Sequence, residues 1–210
     1  MRTGAHPGDV HADVLGDGPD VVLVVHGVGF GPETMGAVAG LLADGATVAV
    51  VHRRGYGRSA GLPASGGIDD EVRDLAGVAD RMGAPRVHLV GVSGGATIGL
   101  AFALSHPQRV ASAVLHEPAL GPLAPGVWNL LIDLSIALGR IREPQHAGRV
   151  FGETLAGRAG WAALPLEARD GVARAGDAVQ HEVPHFAAFT PAAEELARLR
   201  RLPLVTTLGA

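Results

Sequence analysis

The sequence predicts an α/β fold built on a mostly parallel, doubly wound β-sheet. Over residues 1–118, short runs rich in β-branched residues alternate with segments of helical periodicity, as in consecutive βαβ units. From Pro118 onward the pattern is helical and shows no strand until residue 204. With 210 residues, of which 47% are hydrophobic, the chain suits one packed domain with an insertion.

The strands are predicted from apolar runs bounded by turn residues. Residues 10–15 alternate weakly in polarity and are expected to form an edge strand. Residues 21–26 are continuously apolar up to a final histidine, which is typical of a central strand covered on both faces. The other predicted strands are residues 47–52, 86–91, 110–116 and 204–208.

The helices are predicted from the spacing of apolar residues. Within residues 69–82, Val72, Leu75 and Val78 recur at helical spacing, and acidic residues occupy the first turn, where the helix dipole favours them. The other predicted helices are residues 33–42, 94–105 and 127–138.

The change of pattern divides the chain into two parts. Residues 1–118 and 201–210 form the predicted core, and residues 119–200 form a helical cap insertion. The insertion is Ala-rich and punctuated by Arg, and we expect it to cover one end of the sheet. The strand at 204–208 then returns the chain to the sheet.

The composition excludes several classes of partner. A formal net charge of -4 and a pI near 6.2 leave no basic surface for nucleic acid. No signal peptide is recognisable, and no apolar run is long enough for a membrane span, so we expect a cytoplasmic protein. The absence of cysteine excludes disulfides and thiolate metal sites, and we expect neither a metal nor a cofactor.

The segment Gly91-Val92-Ser93-Gly94-Gly95 lies between a predicted strand and a predicted helix. In that setting a serine on a tight turn has its hydroxyl exposed above the sheet, as in a nucleophile elbow. The alternative is a glycine-rich turn that binds phosphate, but neither Gly-x-Gly-x-x-Gly nor a Lys-bearing P-loop is present. Ser93 is therefore the candidate nucleophile for acyl transfer.

The elbow is one of four segments that occur in a familiar order. The others are residues 26–29 (His-Gly-Val-Gly), residues 52–59 (His-Arg-Arg-Gly-Tyr-Gly-Arg-Ser) and residues 106–110 (His-Pro-Gln-Arg-Val). Together they resemble the α/β-hydrolase fold family, in particular its single-domain esterases, lipases and haloperoxidase-like members. The resemblance implies hydrolysis of an ester or related carbonyl substrate through a covalent serine intermediate.

The resemblance also implies roles for residues around Ser93. The backbone N–H groups of Val28 and Gly94 would form the oxyanion hole. His26 would brace the turn that carries Val28 and would not transfer protons. His52 stands where relatives commonly have Asp, and we expect it to be a tolerated variation.

The acid and the base of the implied catalytic triad are not evident in the sequence. In this family the order is serine, acid, histidine, with the acid normally just after the strand predicted at 204–208. The sequence ends at Ala210 and offers neither residue there. Glu117, after the strand at 110–116, is an alternative acid, but His116 is too close to it in sequence to face both Glu117 and Ser93.

Several explanations of the missing base stay open. A C-terminally truncated hydrolase would lack the last strand and helices of the fold, and we expect it to be marginally stable or to self-associate through its exposed edge. A complete enzyme would need an unusual base, and a non-catalytic relative would only bind a small apolar ligand. Cofactor-independent perhydrolase-like chemistry on the same fold is a further alternative.

Aromatic residues of the insertion are the candidate substrate-binding groups. Trp128, Phe186 and Phe189 are expected to line the pocket, which favours a small apolar ester-like substrate. As ordinary core residues they would need no function.

A second pattern in the insertion is the pair His181 and His185. The spacing His-x-x-x-His could bind a metal on a helix, but Pro184 argues against a regular helix there. We therefore expect the two histidines to be solvated or to line the pocket.

Overall fold

A computed structural model describes residues 8–120 and 125–207 of the chain. Strands and helices alternate in its first half, and helices dominate its second half, as predicted. In chain order the elements are β1 (Ala12–Leu15), β2 (Val21–Val25), α1 (Gly36–Leu42), β3 (Thr47–Val51), α2 (Ile68–Arg81), β4 (Val87–Val92), α3 (Gly94–Ser105), β5 (Val110–His116), α4 (Pro125–Leu138), α5 (Pro144–Ala163), α6 (Leu166–Arg174), α7 (Gly176–Ala188), α8 (Ala193–Ala197) and β6 (Leu204–Thr207).

The six strands form one sheet in the order β1-β3-β2-β4-β5-β6. Strand β1 pairs antiparallel with β3, and all other pairs are parallel. The predicted mostly parallel α/β sheet and its N-terminal edge strand are therefore confirmed. Position 208, the last residue of the strand predicted at 204–208, lies outside the described residues.

Helices cover both faces of the central strands. Because successive side chains of a strand point to opposite faces, Leu23 and Val25 enter the larger hydrophobic core, whereas Val22 and Val24 enter a smaller one. The smaller core also contains Ala39 of α1. Burial on both faces explains why these strands are continuously apolar in sequence.

Helix α3 crosses the central strands at very short range. A Cβ on Gly95 would collide with the carbonyl oxygen of Val25 and would lie 2.6 Å from that of His26. A Cβ on Gly91 would lie 2.6 Å from the carbonyl oxygen of Gly95 and 2.8 Å from the Cα of Ala96. Only glycine fits at positions 91 and 95, so these two residues set how closely helix and sheet approach.

Between β5 and β6, the described residues contain helices α4 to α8 and a 3-10 turn that ends at Arg201, here called the helical segment (residues 125–201). Helix α7 packs against α4 and α5. The expectation that Pro184 prevents a regular helix is wrong, because α7 continues through it. Burial of Val179, Val183 and Phe186 on one face of α7 outweighs the loss of one backbone hydrogen bond.

None of the helices within the described ranges is long and apolar enough to cross a membrane. The division into a core and a cap stays a prediction, although the described helices between β5 and β6 all fall within the predicted insertion. Strand β6 lies at the end of the strand order opposite to β1, and most of its residues are exposed.

We predict that Gly95→Ala destabilises the protein, because the added methyl group would meet backbone atoms that cannot move independently. The free energy of unfolding should fall by at least about 1–3 kcal/mol, the usual cost of overpacking. Gly40→Ala is the matched control, since a Cβ there meets nothing within 4 Å and Gly40 lies inside α1. That variant should gain roughly 0.5–1 kcal/mol. Urea denaturation measures both changes, and equal stability of the two variants would contradict the account.

Candidate active site

Ser93 forms the turn between β4 and α3 in a strained conformation. Its φ of 53° and ψ of -119° lie in a region that non-glycine residues rarely adopt. The backbone around it holds this turn: the Ser93 N–H donates to the carbonyl of His116 (2.8 Å), and its carbonyl accepts from the N–H of Thr97 (3.0 Å). Such strain at a half-buried serine is typical of a nucleophile elbow.

The turn after β2 lies directly against Ser93. A Cβ built on Gly27 would be 3.4 Å from the Cβ of Ser93 and 3.9 Å from its Oγ. On the other side, a Cβ on Gly94 would be 3.3 Å from the backbone nitrogen of Val28. Neither the N–H of Val28 nor that of Gly94 donates a hydrogen bond to any described residue. The structure thus brings two unused N–H donors and the serine together.

The residues on either side of Val28 are firmly held. The carbonyl of Gly27 accepts from Nδ1 of His26 (2.9 Å) and from the guanidinium of Arg53 (3.5 Å). The N–H of Gly29 donates to the hydroxyl of Tyr56 (2.9 Å). This arrangement fixes the turn at both ends and leaves the N–H of Val28 open between them.

His26 is fully buried and neutral. Burial and the nearby positive charge of Arg53 lower the pKa of its imidazole to about 3. Its Nδ1 carries the proton donated to Gly27, and its Nε2 accepts from the N–H of Arg53 (3.4 Å). Both ring nitrogens are therefore used in holding backbone, which is the bracing arrangement expected from the sequence.

A buried ionic cluster lies beneath this turn. Arg53 donates to both carboxylate oxygens of Glu71, at 3.2 and 3.0 Å, and its Nη2 lies 2.8 Å from Oε2 of Glu182. The side chains of Arg53 and Glu182 are only 1% and 3% exposed. Burial alone would lower the pKa of Arg53, but Glu182 and Glu71 outweigh it and raise that pKa. Burial raises the pKa of Glu182 to about 7 despite the attraction of Arg53.

The sequence did not point to this cluster. Arg53 and Tyr56 belong to the segment 52–59, which the resemblance treats as structural, and Glu182 lies inside the pattern of His181 and His185, which drew attention to the histidines and not to the carboxylate. A carboxylate between apolar residues of a helix is the one signal that could have drawn attention to Glu182.

Glu117 and His116 lie at the carboxyl end of β5. His116 Nδ1 is 2.8 Å from Oγ1 of Thr207, and its Nε2 is 3.9 Å from a carboxylate oxygen of Glu117. Glu117 has a φ of 51°, and its N–H donates to the carbonyl of Thr207. The hydroxyl of Ser93 has no hydrogen-bond partner in the part of the chain that the structure describes. The role of Glu117 as an acid therefore stays a prediction.

The three predicted substrate-binding aromatics lie in different surroundings. Phe186 is buried, and its Cζ is 3.1 Å from the position of a Cβ on Gly94. Trp128 is 40% exposed, and its indole N–H donates to the carbonyl of Ala187 (3.0 Å). Phe189 lines a separate cavity of about 450 Å³ beside α2. Of the three, Phe186 is the one that lies against Gly94, next to Ser93.

A cavity of about 720 Å³ lies between the turn after β2 and helix α6. Gly29, Phe30 and Tyr56 form one wall, and Val172 and Ala175 form the other. Its volume is that of a small-molecule site. The cavity begins one residue beyond Val28, although Ser93 itself is not part of its lining.

A second group of titratable side chains lies at the edge of the sheet. One ligand atom each from His11, Asp13 and His52 falls within 4.8 Å of the others, a spacing that a metal could bridge. However, Nδ1 of His52 accepts the backbone N–H of Arg58 (3.0 Å), so the ring proton is on Nε2 and is donated to Asp13 (2.9 Å). A nitrogen that carries a proton does not bind a metal. His11, Asp13 and His52 therefore form a hydrogen-bonded cluster that joins β1 to the end of β3.

An α/β sheet with a strained serine at the end of β4 and two open N–H donors beside it is the arrangement typical of the α/β hydrolase fold. Comparison with known proteins agrees: the α/β hydrolase fold family matches residues 20–147. The chain belongs to that family, as its sequence motifs indicated.

Related sequences are named as hydrolases. A 2-hydroxy-6-oxononadienedioate/2-hydroxy-6-oxononatrienedioate hydrolase of Pseudomonas putida is 31% identical over 69% of this chain and 52% of its own length. A putative carbamate hydrolase, RutD, of Variovorax paradoxus is 33% identical over 96% of this chain and 73% of its own length. The chain spans about half the length of the first curated relatives that it matches.

Solved structures share the fold. A hydrolase from Pseudomonas aeruginosa PA01 superposes with a TM-score of 0.70 at 19% identity, covering 94% of this chain and 74% of that one. A thermophilic esterase from Thermogutta terrifontis superposes with a TM-score of 0.68 at 19% identity, covering 95% and 84%. At this identity the similarity shows the fold alone.

We predict a pH dependence of stability that originates at Glu182. Its pKa is about 7 in the folded protein against an ordinary value of 4.5, so folded molecules keep a proton that unfolded ones release. The contribution of this retained proton to the free energy of unfolding is fully present below about pH 4.5 and is lost as the pH rises through about 7. The free energy of unfolding of Glu182→Gln, which does not titrate, should fall less steeply over this range. Urea denaturation at several pH values measures the slopes, and identical slopes would contradict the assignment.

Proposed function

We propose that this protein is a serine hydrolase that cleaves an ester or a related carbonyl compound through a covalent serine intermediate. The observation that carries the proposal is the positive φ of Ser93 between β4 and α3, with the N–H groups of Val28 and Gly94 beside it. Membership in the α/β hydrolase fold family and the hydrolase names of its relatives support it.

In the proposed reaction the Ser93 oxygen attacks the substrate carbonyl carbon. The carbonyl oxygen becomes an oxyanion, which accepts hydrogen bonds from the N–H groups of Val28 and Gly94. Collapse of this intermediate expels the leaving group, which takes up the proton lost by the serine hydroxyl, and leaves an acyl-serine. Water then adds to the acyl carbon, releases the acid and returns one proton to the serine oxygen. The two donors need no reorganisation, because the Val28 turn and the start of α3 are already fixed.

The proposed substrate is a small molecule with an apolar body. The cavity of about 720 Å³ next to the Val28 turn is lined largely by apolar and glycine residues, with Glu33, Glu167 and Arg174 among the charged ones. The names of the relatives mention an oxo-substituted dienedioate and a carbamate, both of which contain a carbonyl group. A carbonyl-centred substrate is therefore the shared chemistry that we carry over to this chain.

One observation favours a second candidate function. The Ser93 hydroxyl has no histidine partner within the described residues, and a serine without a base loses several orders of magnitude in rate. A relative that binds a small apolar carbonyl compound in the same cavity without turnover would need no base. The two candidates differ in whether Ser93 is chemically activated.

A fluorophosphonate probe distinguishes the candidates. We expect the probe to label the wild-type protein at Ser93 and Ser93→Ala to lose the label completely, because phosphonylation requires the serine oxygen. Ser135→Ala is the matched control: Ser135 lies in α4, its hydroxyl donates to the carbonyl of Leu131, and its loss should not change labelling.

Intact-mass spectrometry followed by peptide mapping measures the label. Folded wild-type protein that stays unlabelled would remove the hydrolase proposal for this chain and leave the binding function. Label at a serine other than Ser93 would contradict the assignment of the nucleophile.

A further inference from the structure

The buried carboxylate of Glu182 is joined to the turn beside Ser93 by two consecutive hydrogen bonds. The hydroxyl of Tyr56 donates to Oε2 of Glu182 (3.3 Å) and accepts from the N–H of Gly29 (2.9 Å). Gly29 directly follows Val28, whose N–H is open. A helix of the helical segment is thus connected to the proposed oxyanion hole through one tyrosine.

The direction of these two hydrogen bonds determines how Glu182 acts on Gly29. A tyrosine hydroxyl has one proton to donate. Because the Tyr56 hydroxyl donates it in a hydrogen bond to Glu182, the lone pairs of its oxygen are left to accept from the N–H of Gly29. Hydrogen bonds in a chain polarise one another, so an ionised acceptor at Glu182 makes the tyrosine oxygen a better acceptor for Gly29. The charge state of Glu182 therefore acts on the turn that carries Val28.

Ion pairing alone does not account for a carboxylate at this position. Glu71, on α2, already contacts Arg53 through both oxygens and matches its single positive charge. A second buried carboxylate gives the cluster an excess negative charge, which is costly in a buried environment. The groups that face Glu182 are Arg53 and Tyr56 from the loop after β3 and Glu71 from α2, with neutral His26 of the Val28 turn next to Arg53.

We infer that Glu182 is a positioning residue that fixes the Val28 turn through Tyr56, so that docking of helix α7 completes the oxyanion hole. The inference rests on the proposed function only for its catalytic consequence, because the link from Glu182 to Gly29 is a property of the fold. Phe186, one turn further along α7, packs against Gly94 and supports the second donor from the same helix.

The link itself is tested by nuclear magnetic resonance of the Gly29 amide across the pH range of about 5 to 8. In the wild-type protein the chemical shift of this amide should titrate together with Glu182. The titration should vanish in Glu182→Gln and in Tyr56→Phe, and amide exchange of Gly29 in Tyr56→Phe should be at least about fivefold faster. If Glu182→Gln does not fold, Tyr56→Phe still decides the matter.

Gln180→Ala is the matched control on the same helix. The Gln180 side chain donates to the carbonyls of Leu138 and Ile141, within the helical segment, and forms no hydrogen bond with Tyr56 in the part of the chain that the structure describes. Gln180→Ala should weaken the packing of α7 yet keep the Gly29 titration. A wild-type Gly29 amide that does not titrate, or one that still titrates in Glu182→Gln, would overturn the inference.

The catalytic consequence is measured as the rate of fluorophosphonate labelling of Ser93. We expect Glu182→Gln to label roughly threefold to tenfold more slowly than Gln180→Ala, because the oxyanion donor is less well placed. Equal rates with an altered Gly29 signal would overturn the positioning role. An unlabelled wild-type protein with an intact Gly29 titration would remove the proposed function while leaving the structural link in place.

Discussion

The close contact of helix α3 with strands β2 and β4 is the constraint on which the site depends. Glycine at positions 91 and 95 allows the helix backbone to lie against the carbonyls of Val25 and His26. The chain can then pass from β4 into α3 only through a sharp turn, which forces Ser93 into a positive φ. Ser93 lies on this turn and is half-buried.

The same contact places the two N–H donors. The carbonyl of His26, which Gly95 approaches, belongs to the start of the turn that carries Val28, so the start of α3 and this turn are adjacent. His26 and Arg53 donate to the carbonyl of Gly27, and Tyr56 accepts from the N–H of Gly29, so the neighbours of Val28 are satisfied and its own N–H stays open. An unpaired N–H at a buried position costs free energy, and an oxyanion that accepts its hydrogen bond would remove that cost.

Much of the fold could be predicted from the sequence because its signals are local. Strands β2 and β3 are buried along their whole length and therefore consist of continuous apolar runs. The elbow at Ser93 depends on five consecutive residues, so its pattern is complete in the sequence.

The rest of the site depends on contacts between distant residues. Tyr56 and Glu182 are 126 positions apart, and His52 and Asp13 are 39 apart, so no local pattern reveals that they meet. At Pro184 the local signal misled the prediction. Proline disfavours the interior of a helix, but the tertiary packing of α7 outweighs this preference and the helix continues through it.

The central claim is that Ser93, Val28 and Gly94 form one site for a tetrahedral intermediate. A crystal structure of the protein after reaction with a small fluorophosphonate tests this claim most directly. The account predicts a covalent adduct on Oγ of Ser93 whose phosphoryl oxygen lies about 2.7–3.1 Å from the backbone nitrogens of both Val28 and Gly94. An adduct whose oxygen points away from these two nitrogens would contradict it.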